Sequence, residues 1–334
     1  MLRIAMDAGD ADLPSPRGWS RYVRELVDAL RIRNDLELHE LTGRRWPGPE
    51  AAWEQVGLPL ALRRLKPDVV HAPNCFLPLR RPCAGVVTIH DLAFEAHPED
   101  FAPRTRAKYR LIAPRAARSA QRVICGSAFT RDDLCERYGV PPEKVRVVPY
   151  APSLARGDAP PPPGPYLLGA GDLRAKKNWG RLVEAWRALR GRGLEHRLVI
   201  AGTDAGEGAA LRALAGGEPL ELPGYVDDAR LDALMRGADL LVHPSLYEGF
   251  GLVVVEAMAR GTPVAAARAT SLPEAGGDAA VYFDPLDPEA MAAAIEAALA
   301  DAAALGERGL ARAAELSWER TAAGTAAAYA EAAA

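Results

Sequence analysis

Several short runs in this chain carry apolar side chains on both faces. VVTI falls within Gly85–His90, LVIA within Arg197–Gly202, and LLVH at Leu240–His243. A strand that shows apolar side chains on both faces has to be covered on both faces. The runs alternate with helical patterns at Ser20–Arg31, Ser127–Tyr138, Trp179–Arg190 and Gly251–Arg260. Other strands are predicted near Leu2–Asp7, Leu36–Leu41, Asp68–Ala72, Arg122–Gly126, Val145–Pro149, Tyr166–Gly169, Pro263–Ala266 and Ala280–Phe283. Repeated strand–helix–strand order predicts an α/β fold with doubly wound parallel sheets.

The chain has 334 residues, enough for two domains. Four consecutive prolines in PSLARGDAPPPPGP can continue neither a helix nor a central strand. They read as an extended spacer. The expected division is a first domain over 1–152, a Pro-rich linker over 153–165 and a second domain over 166–315. The Ala-rich segment 316–334 is expected to pack back on a domain as a helix.

A net charge of −3 argues against nucleic-acid binding. No apolar run reaches the length of a spanning helix. The start, MLRIAMDAGD, lacks a secretory h-region, so a cytoplasmic location is expected. Cys75, Cys83, Cys125 and Cys135 form no C-x-x-C pair and read as reduced thiols.

The stretch HPSLYEGFGLVVVEAMARGTPV carries the most chemistry. Glu248 lies just ahead of a helix start, and Glu256 lies inside that helix. Eight steps of helix return a side chain to within roughly 80° of its starting direction. Gly249 and Gly251 allow a ligand to approach the main chain, and the first helical N–H groups favour an anion. Carboxylates beside an anion site suit a ligand with both hydroxyls and phosphates, such as a nucleotide sugar. Ordinary helix N-terminal acids are the competing reading. Lys177, in RAKKN, follows the strand Tyr166–Gly169 and can reach a diphosphate as a compact cation. His90 and Asp91 end another strand, where α/β sheets bind ligands.

Gly169-Ala170-Gly171 begins like a dinucleotide fingerprint, but the third glycine is missing, so a nicotinamide or flavin cofactor is not expected. Asp10-Ala11-Asp12 has D-x-D spacing in a loop, and the six histidines lack H-x-x-x-H spacing. No metal or resident cofactor is expected. A hydrolase elbow, G-x-S-x-G, is also absent.

The second half resembles glycosyltransferase family 4, retaining transferases of the two-domain GT-B fold. The matching segments are GDLRAKKNWGRLVEAW, GYVDDARLDALMRGADLLVHPSLYEGFGLVVVEAMARGTPV and GDAAVYFDPLDPEAMAAAI. In the first half, GWSRYVRELVDAL, TIHDLAFEAHPEDF and ICGSAFTRDDLCERYGVPPEKVRVVPYAP resemble the family's acceptor domain. The resemblance implies two Rossmann-like domains facing a cleft, with the donor on the second and the acceptor on the first. Closure of the domains would exclude water.

It also implies site roles. Glu248 would lie at the donor sugar and Glu256 at the ribose hydroxyls. Ser245 precedes the first glutamate, and the amides of Gly249, Phe250, Gly251 and Leu252 would meet the sugar or diphosphate. Lys177 would stabilise the leaving diphosphate, and His90 would lie beside the reacting sugar. Main chain near Gly224-Tyr225-Val226 would contact the base. Two positions depart from the pattern. Asp172 stands where many members carry an arginine, which leaves Arg174 as the substitute phosphate cation. Gly18-Trp19-Ser20-Arg21-Tyr22 has lost one glycine of the family's Gly-x-Gly-Arg-Tyr; Gly18 keeps a backbone contact, and Ser20 can serve as helix N-cap.

The expected activity is hexose transfer, of mannose or glucose type, from a GDP- or UDP-linked donor to a hydroxyl of a glycan, lipid or small molecule. Mannose-transferring members resemble the chain most. Alternative readings are a phosphorylase or epimerase of the same fold, or a non-catalytic nucleotide-sugar-binding subunit. Finally, Arg104–Arg122 holds seven basic residues and no acid. A basic amphipathic helix there suits peripheral contact with an anionic membrane, with a solvated covering helix as the alternative.

Overall fold

The computed structural model describes residues 1–12, 18–43, 46–48 and 52–334. The chain forms two compact units. The first comprises Met1–Ser153 and Leu316–Ala334, and the second comprises Leu154–Glu315.

The first unit is built on six parallel strands: β1 (Leu2–Asp7), β2 (Leu36–Leu41), β3 (Val69–Ala72), β4 (Ala84–Thr88), β5 (Arg122–Cys125) and β6 (Val145–Val147). Their order is β2-β1-β3-β4-β5-β6. The second unit repeats the plan with β7 (Tyr166–Ala170), β8 (Arg197–Ala201), β9 (Leu220–Gly224), β10 (Leu240–His243), β11 (Val264–Ala267) and β12 (Val281–Phe283). Here the order is β12-β11-β10-β7-β8-β9. The fold is α/β with two Rossmann-like parallel sheets. Every residue of β3, β7, β10 and β11 is buried, as strands with apolar side chains on both faces require. Trp179, Trp186 and Tyr166 are fully buried in the second core. Each large apolar side chain so placed contributes roughly 1.5–3 kcal/mol.

Strand β9 escapes the sequence pattern. LELPG contains a proline and is half exposed along its length. It sits at the sheet edge, the one place where a proline costs no interior ladder bond. Two further expectations are corrected. The first long helix runs Gly18–Arg31, so Ser20 lies inside it, fully buried, and is not its N-cap. The segment 154–165 is part of the second unit and not a spacer between units.

Hydrogen bonds account for that attachment. Leu154 N–H donates to Glu256 Oε1 at 2.8 Å, Gly157 N–H to Asp232 Oδ2 at 3.0 Å, and Arg156 Nη2 to the Ala259 carbonyl at 2.8 Å. Arg260 holds this first segment of the second unit. Its Nε donates to Asp232 Oδ1 at 2.9 Å, Nη1 to Glu256 Oε2 at 3.0 Å, and Nη2 to the Leu154 carbonyl at 2.5 Å. The Arg260 side chain is 1% exposed and Asp232 0%. This is a buried charge cluster whose guanidinium fork is satisfied on all sides.

The helix Trp318–Ala333 packs on the helix Gly18–Arg31 and on β3, β4 and β5. Trp318 Nε1 donates to the Pro152 carbonyl at 3.0 Å, and Thr321 Oγ1 to the Pro149 carbonyl at 2.8 Å. Tyr329 OH lies 2.7 Å from His71 Nδ1, whose other ring nitrogen is 2.8 Å from Thr88 Oγ1.

Candidate active site

In the second sheet β7 lies between β8 and β10, so the strand order reverses between β7 and β10. Loops leaving the carboxyl ends of two such strands diverge and open a crevice. Lys177 follows β7, and Glu248 follows β10. Topology alone therefore brings together two residues 71 positions apart in sequence.

Lys177 Nζ donates to Glu248 Oε1 at 2.6 Å, and each side chain is 13% exposed. His243, the last residue of β10, places Nε2 3.1 Å from the same Oε1. Ser245 Oγ lies 3.3 Å from that ring nitrogen. Burial pushes the Glu248 carboxyl up, but Lys177 first, then Lys176 and His243, outweigh it and hold it well below the usual range. Burial pushes His243 down, aided by Lys177 and opposed by Glu248, so its ring is neutral. A carboxylate held ionised accepts only, so Nε2 carries the His243 proton.

The loops around this cluster are pinned. Asn178 adopts a left-handed conformation (φ +59°), ending the turn Ala175–Lys177. Its Nδ2 donates to the Pro285 carbonyl at 2.7 Å and the Pro244 carbonyl at 3.1 Å. Leu246 N–H donates to the Lys176 carbonyl at 2.8 Å. Glu248 N–H donates to Thr270 Oγ1 at 3.0 Å, and Ser271 Oγ donates to the Glu248 carbonyl at 2.8 Å. Gly171 takes φ +145°, and a Cβ there would lie 3.1 Å from Lys177 Cε and 3.3 Å from Nζ. The glycine that imitates a dinucleotide fingerprint thus makes room for the lysine.

The other expected site residues are distributed as follows. Gly251 (φ +105°) precedes the helix Leu252–Met258, which is shorter than the sequence suggests. Gly249 and Phe250 are buried, and Leu252 is half-buried. Val226 is half-buried against the core. Ser245 is fully buried, facing His243. Arg174 lies 3.5 Å from Asp172 Oδ2 and is partly exposed. Glu256 is bound within the second unit, to Leu154 N–H and Arg260.

Gly18 and His90 belong to the first unit. Gly18 is exposed and opens its helix. His90 Nε2 donates to the Pro73 carbonyl at 2.9 Å, so Nδ1 accepts from Tyr150 OH, also at 2.9 Å. Burial lowers its pKa to about 4. Both ring nitrogens are engaged within the protein. His243, Asn178, Thr270 and Ser271 were not singled out from sequence; only Asn178 had a signal, as the last residue of RAKKN.

Among the described residues, no group of three or more His, Cys, Asp or Glu is arranged to hold a metal. The Asp12 side chain of the D-x-D spacing lies outside the described residues. Asp10 Oδ2 accepts from Asn74 Nδ2 at 3.1 Å. Among the described residues, no helix is long and apolar enough to cross a membrane. The basic segment forms one helix, Pro103–Ser119, continuous through Pro114. Several of its cations have internal partners: Lys108 pairs with Glu54 and Arg110 with Glu95, while Arg118 donates to the Tyr138 carbonyl.

Comparison with known proteins agrees with this architecture. The family model described as Glycosyl transferases group 1 matches residues 164–301, and Glycosyltransferase Family 4 matches 36–155. O-antigen chain mannosyltransferase B of Escherichia coli is 32% identical over 280 residues, covering 78% of this chain and 73% of the relative. MMP alpha-(1->4)-mannosyltransferase of Mycolicibacterium hassiacum is 29% identical over 336 residues, covering 89% and 79%. Sucrose-phosphate synthase from Thermosynechococcus elongatus superposes with a TM-score of 0.74 at 22% identity, covering 99% of this chain and 98% of that one. By sequence and by fold, the chain belongs to the group 1 glycosyltransferases and is a glycosyltransferase of the GT-B fold.

Proposed function

We propose that the protein is a retaining hexosyltransferase that moves a mannose-type sugar from a nucleoside diphosphate donor, GDP-linked first and UDP-linked second, to an acceptor hydroxyl. The names of the two sequence relatives support mannose as the sugar. The observation that carries the reading is the Lys177–Glu248 pair at the reversal between β7 and β10. As the sugar–phosphate bond breaks, negative charge grows on the diphosphate. Lys177, already positioned by Glu248 Oε1, stabilises that charge more in the transition state than in the ground state. Glu248 accepts a hydrogen bond from a hydroxyl of the sugar. The amides after Gly249 bind phosphate or sugar, and Arg174 supplies the second cation. Glu256 accepts hydrogen bonds from the ribose hydroxyls.

In the same reading the acceptor attacks from the face that the diphosphate leaves, and the leaving phosphate takes the acceptor proton. His90, with both nitrogens engaged, acts as a positioning group in the first unit. Acceptors are glycan, lipid-linked or small-molecule hydroxyls. Peripheral contact with anionic lipid runs through the helix Pro103–Ser119. A thermal-shift panel of nucleotide sugars identifies the donor, since a ligand binding only the folded state adds RT ln(1 + [L]/Kd) to stability. Proton NMR of the product then reads the anomeric configuration. A product of inverted configuration, or a trapped glycosyl–enzyme adduct, refutes the mechanism.

A further inference from the structure

We propose that His243 is a positioning residue for glycosyl transfer: its Nε2–H locks one oxygen of Glu248 and leaves the other to the sugar. The inference rests on the donor role given to Glu248 above.

Glu248 Oε1 takes two donors, Lys177 Nζ at 2.6 Å and His243 Nε2 at 3.1 Å. Among the described residues, no hydrogen bond reaches Oε2. A carboxylate fixed through one oxygen by two donors from different loops cannot rotate about its last bond without losing one of them. Its second oxygen then holds a constant direction, as recognition of a particular hydroxyl requires. Lys177 alone would leave the pair free to swing, because an ammonium is a point charge without directional preference.

His243 is an expensive way to fill its place unless it has this task. It is fully buried at the end of β10, and its Nδ1 has no hydrogen-bond partner among the described residues. A buried acceptor left empty is destabilising, and native structures rarely contain one without a reason. Leucine would occupy similar space at the end of LLVH with no polar atom to satisfy. Only one atom of the ring is used, Nε2, and it points at Glu248 with Ser245 Oγ beside it at 3.3 Å.

The test has a ligand-free arm and a kinetic arm. Nitrogen-15 NMR of the ring should show the neutral Nε2–H tautomer in the unliganded protein; the Nδ1–H tautomer overturns the proposal. Kinetically, kcat/KM is measured with GDP-mannose and with UDP-glucose for His243→Leu, His243→Gln, His243→Asn and Glu248→Ala. Loss of a charge-assisted hydrogen bond predicts that His243→Leu falls about 10–100-fold. Its melting temperature should be equal to or above that of the unsubstituted protein, because the unpaired Nδ1 is gone. A purely structural histidine would move both downward. Glutamine, whose amide nitrogen reaches the place of Nε2, should recover to within about 5-fold, and asparagine, too short, should not. Should the leucine variant fail to fold, equal activity of the glutamine and asparagine variants overturns the proposal. If Glu248→Ala loses at least about 100-fold while His243→Leu stays within about 3-fold, the proposal fails alone. If Glu248→Ala is also unaffected, the donor reading fails with it.

Discussion

Replacing Arg260 with methionine should loosen the start of the second unit. Methionine keeps most of the apolar stem but removes the guanidinium fork. Asp232 then retains Arg236 Nε at 2.7 Å and Gly157 N–H at 3.0 Å. Glu256 loses the Arg260 donor on Oε2 and keeps the Leu154 N–H at 2.8 Å on Oε1, and the Leu154 carbonyl loses its 2.5 Å donor. Removing one partner of a buried charge cluster costs about 3–5 kcal/mol, because the remaining charge stays buried. For a unit of this length each kcal/mol lowers the melting temperature by about 2–4 °C, so the shift should be roughly 6–20 °C. Adding Glu256→Gln removes the carboxylate charge that Arg260 faced and should recover part of the loss. Calorimetry reads the shift, and hydrogen exchange reads its location, because the Leu154 and Gly157 amides are donors to this cluster. A melting temperature within about 2 °C of the parent, with unchanged protection at Leu154, would refute the reasoning.

Three further outcomes are expected. Glu248→Ala and Lys177→Met should each lower turnover at least about 100-fold, measured as sugar transfer or donor hydrolysis, since each removes a preorganised electrostatic group. Gly171→Ala forces φ +145° on an L-residue and crowds Lys177, so it should cost about 1–2 kcal/mol in denaturant unfolding and shift the ammonium enough to lower turnover about 10-fold. Acid should weaken the first unit: burial lowers His71 to about 3 and His90 to about 4, whereas both titrate near 6.5 when unfolded. The unfolded chain then binds the extra protons, so this stability is present above pH ~6.5 and is lost as pH falls towards the folded values. Each histidine should remove about 2 kcal/mol between pH 7 and pH 5, read by urea unfolding, and His90→Gln should roughly halve the slope.

The parallel sheets were legible because their central strands carry apolar side chains on both faces, as VVTI and LLVH do. Strand β9 was not legible, because an edge strand tolerates proline and half-exposed side chains. Within the site, Lys177 and Glu248 could be singled out by residue type and neighbouring glycines. Their mutual contact could not, since it follows from β7 lying beside β10. His243 read as the end of an apolar strand, and its polar role depends on a single atom meeting Glu248. Glu256 shows the opposite case. Its motif suggested a ligand, whereas its carboxylate also fastens the chain where the second unit begins, through Arg260 and Leu154.

The return of the helix Trp318–Ala333 to the first unit bears on the order of events at the ribosome. The second unit is one uninterrupted stretch and can complete itself as soon as it has emerged. The first cannot. His71 waits for Tyr329, 258 positions later, before its ring is satisfied, and β3, β4 and β5 wait for the same helix. For most of synthesis the nascent first sheet therefore shows an uncovered apolar face, and this interval is when the chain most needs protection from aggregation.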